Sequence, residues 1–172
     1  MTRAALGLGA NLGDPAATLA AAVRALDAAP GITVVGVSAL WRTAPVGGPE
    51  QPEYANAVVI VETEMTAEEL LALAHALEAD AERIREVRWG PRTLDVDLLD
   101  MVGVRRGEAA LTVPHPRAHE RAFVLAPWAA LDPAWPLEPV GHPARPVAQW
   151  AAAVADDPAQ PVAVLAEGTW WR

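Results

Sequence analysis

Asn56-Ala57-Val58-Val59-Ile60-Val61-Glu62 reads as a β-strand, because Val and Ile suit a pleated, half-buried surface. On its N-terminal side, residues 32–42 alternate so that Val35, Val37, Ala39 and Trp41 fall on one side of another strand. Only a Gly/Pro-rich loop from Thr43 to about Glu53 separates the two, close enough to predict antiparallel pairing. On its C-terminal side, Thr66 with Glu69 three residues on is a capping box. Leu70, Leu73, Leu77 and Ile84 then form the apolar stripe of a long helix.

The flanks complete the pattern. Ala4-Ala5-Leu6-Gly7-Leu8 is a short apolar strand that stops at Gly9, Asn11 and Gly13. Asp14-Pro15 then has the form of an N-cap with proline at the first helical position. Leu19, Ala22, Val23 and Leu26 follow at helical spacing up to Pro30-Gly31. Beyond the long helix, a Trp89-Gly90-Pro91 turn leads into a strand over Thr93–Met101, with Gly103 and Gly107 suggesting a hairpin. The order βαββαβ predicts an α+β, ferredoxin-like sandwich in which two helices cover one face of the sheet. Leu125, Trp128 and Leu131 mark a third helix ending at Asp132-Pro133. From Pro133 the prolines multiply and break everything except an Ala-rich helix near 147–155. Residues 1–137 are expected to form the main body. Residues 138–172 are expected to be an appendage on the same domain, held by Trp135, Trp150, Trp170 and Trp171.

Composition narrows the chemistry. The chain has 172 residues with no Cys, and all 13 basic residues are Arg. Disulfides, thiolate nucleophiles and zinc ribbons are excluded, as are Schiff-base chemistry and the lysine of a Walker phosphate loop. Any phosphate is gripped by Arg, backbone or metal. The net charge of -9 opposes a polyanion, so no nucleic acid partner is expected. No stretch approaches the roughly 20 apolar residues of a membrane span. The expected setting is cytoplasmic.

The sharpest local feature is Arg88-Trp89-Gly90-Pro91-Arg92-Thr93-Leu94-Asp95-Val96-Asp97. Residues two apart in a strand point the same way, about 6.6 Å apart, so Asp95 and Asp97 present two carboxylates on one surface. Hard oxygen ligands favour Mg²⁺, usually shared with substrate phosphates. Two ions about 3.5–4 Å apart could share the pair. The plainer reading puts both Asp in solvent or against Arg; it is disfavoured because Asp is poor in strands. Arg85 and Arg92 sit where a lid could carry them over a polyphosphate, whereas Arg83 and Arg88 are expected to be neutralised by Glu78, Asp80, Glu82 and Glu86. His115, locked between Pro114 and Pro116, could donate to phosphate or be structural. His119 and His142 are expected at the surface, and His75 on a solvated stripe. Tyr54 and Asn56 share one side of their strand, and an aromatic platform beside an amide suits a flat, nitrogen-rich heterocycle. Ordinary core packing is the alternative for Tyr54 and Phe123.

Four blocks, within about residues 5–137, resemble the 6-hydroxymethyl-7,8-dihydropterin pyrophosphokinase family of folate biosynthesis. They are Gly7-Leu8-Gly9-Ala10-Asn11-Leu12-Gly13-Asp14; Arg42-Thr43-Ala44-Pro45 with Gln51-Pro52-Glu53-Tyr54-Ala55-Asn56; Trp89 to Asp97; and Val113-Pro114-His115 with Arg121 and Phe123. The resemblance implies transfer of the terminal pyrophosphoryl unit of ATP to the pterin's hydroxymethyl oxygen, with release of AMP. It implies that Asp95 and Asp97 hold two Mg²⁺ ions, that Arg85 and Arg92 close on the nucleotide as catalytic residues, and that His115 and Arg121 contact phosphate. Thr112 and Glu78 are expected beside the ATP. Tyr54 and Phe123 would sandwich the pterin, with Thr43, Ala44, Val46 and Asn56 at its edge and Trp89 on the closing loop. Ala44, Pro116 and Ala110 depart from the residues common in the family. The family binds ATP without a Walker loop, which suits a chain without Lys, and a monomer is expected. Two other readings remain open: an idle ferredoxin-like module that binds a small ligand, and a Mg²⁺-dependent phosphohydrolase.

Overall fold

The computed structural model describes residues 1–43, 53–87 and 94–172, with only the backbone for 83–87. Strand β1 (Thr2–Ala10) leads into α1 (Pro15–Ala28). Asp14 caps that helix, its carboxylate accepting from Ala17 N at 3.1 Å, and Pro15 opens it. Gly31, at φ +80°, turns the chain where a Cβ-bearing residue would be strained. Strands β2 (Ile32–Val37), β3 (Leu40–Thr43) and β4 (Tyr54–Thr63) follow. Helix α2 (Ala67–Val87) then starts on the expected capping box: Thr66 N donates to Glu69 at 2.8 Å, and Glu69 N donates to Thr66 Oγ1 at 3.2 Å. After β5 (Asp95–Met101), β6 (Arg106–Glu108) and β7 (Leu111–Val113) form a separate hairpin. Helix α3 (Ala122–Leu131), the short β8 (Pro136–Leu137) and β9 (Arg145–Pro146), α4 (Val147–Val154) and β10 (Val162–Ala166) complete the chain.

Among the described residues six strands make one antiparallel sheet in the order β10-β3-β4-β1-β5, with β2 also on β4. The α1 connection from β1 to β2 and the α2 connection from β4 to β5 each cross one intervening strand. This is the ferredoxin-like arrangement that the sequence predicts. Two expectations need correction. Residues 32–42 are not one evenly alternating strand: they break at Ser38-Ala39, and the register against β4 shifts between Val34 and Gly36. The bulge throws Val35 out to 46% exposure, while Ile32 and Leu40 take the buried side. The tail also holds more than a helix. Residues 162–166 form β10, which pairs antiparallel with β3 through Val162 opposite Thr43. The unpaired β3 edge gives those apolar residues a ladder that local pattern alone did not reveal.

The sheet has two unlike faces. Leu6, Leu8 and Val96 pack under α1 and α2 with Leu19, Val23, Leu26 and Leu70. On the opposite face, Ala5, Val58, Ile60 and Leu99 meet α3, α4 and the segment between them through Leu125, Trp128, Trp150 and Trp135. Asp100 is buried in this second layer at 7% exposure and accepts from Trp135 Nε1 at 2.9 Å. Burial pushes its carboxyl above the usual value, opposed by the Trp135 hydrogen bond and Arg105. A carboxyl raised in the folded state makes stability fall as pH climbs from about 3.8 through that raised value. Asp100→Asn keeps an acceptor for Trp135 and removes the charge. Urea unfolding should therefore show a flatter pH dependence for the variant across the acid-to-neutral range, and an unchanged slope would contradict the assignment.

Candidate functional site

Alternation along β1 builds the floor of the site. Ala4, Leu6, Leu8 and Ala10 face the α1/α2 core, which leaves Gly7 and Gly9 on the other face. Gly9 lies opposite Asn56 on β4 and Asp95 on β5; Gly7 lies opposite Val58 and Asp97. Two rows thus cross three strands with bare backbone in the middle. A Cβ at Gly9 would sit 3.1 Å from Asn56 Oδ1, and one at Gly7 3.1 Å from Leu99 Cδ2, so the glycines keep the floor open. A cavity of about 450 Å³ stands over these rows. It is lined by Thr43 from β3, Tyr54, Asn56 and Val58 from β4, Asp95 and Asp97 from β5, and Arg121 and Phe123 at the start of α3. That volume suits a small organic molecule.

The acidic side brings Asp95, Asp97 and Glu78 together. Loss of water pushes the Asp95 carboxyl above its usual range although the residue remains open to solvent, and the charge of Asp97 adds to the effect. Glu78 on α2 is also raised, first by burial and then by Asp95 and Asp97; the hydrogen bond it accepts from Val96 N at 3.2 Å opposes the shift. Val96 lies between the two Asp, so that bond ties Glu78 to β5 beside them. Among the described residues no salt bridge engages Asp95 or Asp97.

The other side is aromatic and amide-bearing. Asn56, 5% exposed, donates through Nδ2 to Thr43 Oγ1 at 2.8 Å, which fixes its amide with the oxygen over Gly9. Tyr54 and Phe123 are half-buried cavity walls, not fully packed core. The Arg121 guanidinium carbon lies 5.6 Å from the Phe123 ring centre. His115 borders this group: its pKa is lowered by burial, with Arg121 and Arg117 adding to the shift and Asp97 opposing it. Arg117 N donates to His115 Nδ1 at 3.2 Å, so the neutral ring carries its proton on Nε2.

Thr43, Tyr54, Asn56, Asp95, Asp97, Arg121 and Phe123 are therefore brought to one cavity, with Glu78 and His115 coupled to it by charge. Thr112 is not among the lining residues; its hydroxyl bonds to Glu108 O at 2.9 Å within the β6/β7 hairpin. Ala44, Val46, Trp89 and Arg92 lie outside the described residues, as does the side chain of Arg85. His119 is not the surface residue expected. Its side chain is 10% exposed, and its ring packs 5.4 Å from Trp150 and 4.9 Å from His142. Gly7 and Gly9, two apart in a strand, are a floor signal that sequence reasoning left unused. Ala159, Gln160 and Val162 also line the cavity, and no motif in the tail points to them.

A family model described as 7,8-dihydro-6-hydroxymethylpterin-pyrophosphokinase matches residues 5–133. The chain is similar to the 2-amino-4-hydroxy-6-hydroxymethyldihydropteridine pyrophosphokinase of Methylorubrum extorquens, 49% identical over 133 residues, covering 77% of this chain and 84% of that protein. The protein of the same name from Mycobacterium tuberculosis is 43% identical over 158 residues, covering 86% and 81%. Among solved structures, wild-type Plasmodium falciparum HPPK-DHPS superposes with a TM-score of 0.66 at 12% identity, over 88% of this chain. This chain spans 41% of that longer one, and at such low identity the likeness shows the fold alone.

The electrostatics can be tested without any ligand. Replacing Asp97 by Asn removes one negative charge beside Asp95, so carboxyl NMR titration should show the Asp95 pKa moving down while burial keeps part of the shift. No movement would mean that the two groups do not share a surface.

Proposed function

The chain belongs to the 7,8-dihydro-6-hydroxymethylpterin-pyrophosphokinase family, and from that premise we propose how its cavity carries out the reaction. The protein is an ATP-dependent pyrophosphokinase of folate biosynthesis. The observation that carries the site assignment is that an acidic pair and an aromatic-amide wall share one glycine floor.

On this reading the reduced pterin stacks between Tyr54 and Phe123, and its heterocycle edge meets Asn56 and Thr43. Ala44, Val46 and Trp89 are assigned to the same pterin by the family likeness. Asp95 and Asp97 are the ligands for Mg²⁺, taken as two ions. The donor set fits: two hard carboxylates, that of Asp95 pushed up by burial and by its neighbour, crowded by Glu78 and unneutralised by a described salt bridge. No group of three or more His, Cys, Asp or Glu among the described residues holds a metal alone. Such a cation would thus complete its shell with phosphate and water, as Mg²⁺ commonly does. Bound there, Mg²⁺ supplies charge neutralisation and alignment for phosphoryl transfer.

The pterin hydroxymethyl oxygen forms a bond to the β-phosphorus of ATP as its proton passes to a substrate phosphate oxygen or to solvent, the bond from that phosphorus to the oxygen bridging it to the α-phosphorus breaks, and AMP departs with that oxygen. Arg121 offers a planar, permanently charged fork to the phosphates. His115 donates from Nε2, since Nδ1 is occupied by the Arg117 amide. Arg85 and Arg92 are assigned to the nucleotide, with Glu78 and Thr112 beside it. Walls contributed by Tyr54, Val58 and Phe123 exclude water and favour an alcohol acceptor over hydrolysis. The chain is proposed to act as a cytoplasmic monomer. No helix among the described residues is long and apolar enough to cross a membrane.

AMP release from ATP tests the reading directly. Release that requires the reduced pterin is expected; release without it would mark a hydrolase, and none at all a binding module. Asp97→Ala should cut turnover at saturating ATP by about a hundredfold or more, with pterin affinity within roughly twofold, because it removes charge stabilisation and leaves the aromatic wall. Near-normal turnover would remove the metal assignment.

A further inference from the structure

We propose that Gln160, from the tail that follows α4, is a positioning residue for the transfer reaction: its side-chain amide clamps the backbone on both sides of Arg121 and so holds Arg121 and Phe123 in the cavity. The inference rests on the assignment of those two residues to phosphate and pterin. Gln160 Oε1 accepts from Ala122 N at 2.7 Å, and its Nε2 donates to Glu120 O at 3.1 Å, across about forty residues of sequence. Arg121 is held between these two anchors. Arg121 is also the N-cap position of α3, and its side chain makes no capping bond because a guanidinium has no acceptor to offer. The first turn of a helix leaves N–H groups without intrahelical partners. Gln160 satisfies the Ala122 N–H from outside, doing what a capping Ser or Asp would otherwise do. Position 121 is thereby free to be Arg, and its direction is set by a residue whose amide donors are both committed to the protein.

Gln160 is in turn pre-set by its own turn. Asp157 accepts from Ala159 N at 2.9 Å and from Gln160 Nε2 at 3.0 Å, and its carbonyl accepts from Gln160 N at 3.0 Å. An Asp-Pro start is suited to such a turn. Both N–H bonds of the Gln160 amide are committed, to Glu120 O and to Asp157, so the residue has no donor left for a ligand although it lines the cavity. Its part is therefore to hold position.

The test compares wild type, Gln160→Ala and Gln160→Glu with Thr66→Ala, a capping change on the opposite side of the sheet. Steady-state kinetics are read for both substrates, thermal unfolding for stability, and NMR hydrogen exchange for the Ala122 amide. Gln160→Ala is expected to speed Ala122 exchange and to lower kcat/KM for the pterin roughly ten- to hundredfold, the scale of a misplacement of an ångström. Thr66→Ala should lose comparable stability with kinetics unchanged. Gln160→Glu keeps the acceptor for Ala122 N–H but loses both donors and faces Asp157, so it should show the kinetic loss with slower Ala122 exchange than the Ala variant. It supplies the same comparison if Gln160→Ala does not fold. Wild-type kinetics in both Gln160 variants, or an equal kinetic loss in Thr66→Ala, would overturn the proposal alone. A wild-type chain that releases no pterin-dependent AMP would overturn the functional assignment and the proposal with it.

Discussion

Like charges that cannot separate are the constraint around which this molecule is arranged. Asp95 and Asp97 are two residues apart on one strand and so share a side; Glu78 is tied to the amide between them. In water such a trio would be tolerable, but beside a cleft the loss of water, and then the less screened repulsion, make the carboxyl groups of Asp95 and Glu78 resist ionisation. If the triphosphate is held here, as proposed above, a chain of net charge -9 must supply positive charge at this point. Arginine and a divalent cation are the remaining sources, because the sequence contains no lysine. The electrostatic deficit and the substrate's own charge are thus two halves of one requirement.

The sheet meets that requirement by dividing its labour. One face is filled by aliphatic side chains from β1, α1 and α2. The other is filled only part of the way, by the Trp-rich layer of α3 and α4, and gives out where Gly7 and Gly9 leave no side chain to pack. The cavity is the unfilled end of a core layer. Its floor is therefore continuous with a packed layer, which suits the precise placement of a hydroxyl against a phosphorus.

Legibility in the sequence followed the range of the interactions. The βαββαβ order, the Asp14 cap and the Thr66–Glu69 box were readable because each is local and periodic. So were the shared side of Asp95 and Asp97 and that of Tyr54 and Asn56, since strand geometry alone decides them. The bulge at Val35 was not, because a register shift depends on the partner strand. Strand β10 and the seat of Gln160 were equally hidden: both depend on contacts with segments some forty or more residues earlier in the chain, and the tail between its prolines has no period to betray them. His119 looked like a surface residue because only folding brings Trp150 and His142 against it.

The pairing of β10 with β3 has a consequence for how the protein is made. Synthesis proceeds from the N-terminus, and folding generally follows emergence from the ribosome. The floor and acidic pair are complete once residue 97 has appeared, yet the wall formed by residues 159–162 arrives only with the last part of the chain. A translation product that stopped short of that strand would carry the acidic pair and much of the sheet without the wall that residues 159–162 provide.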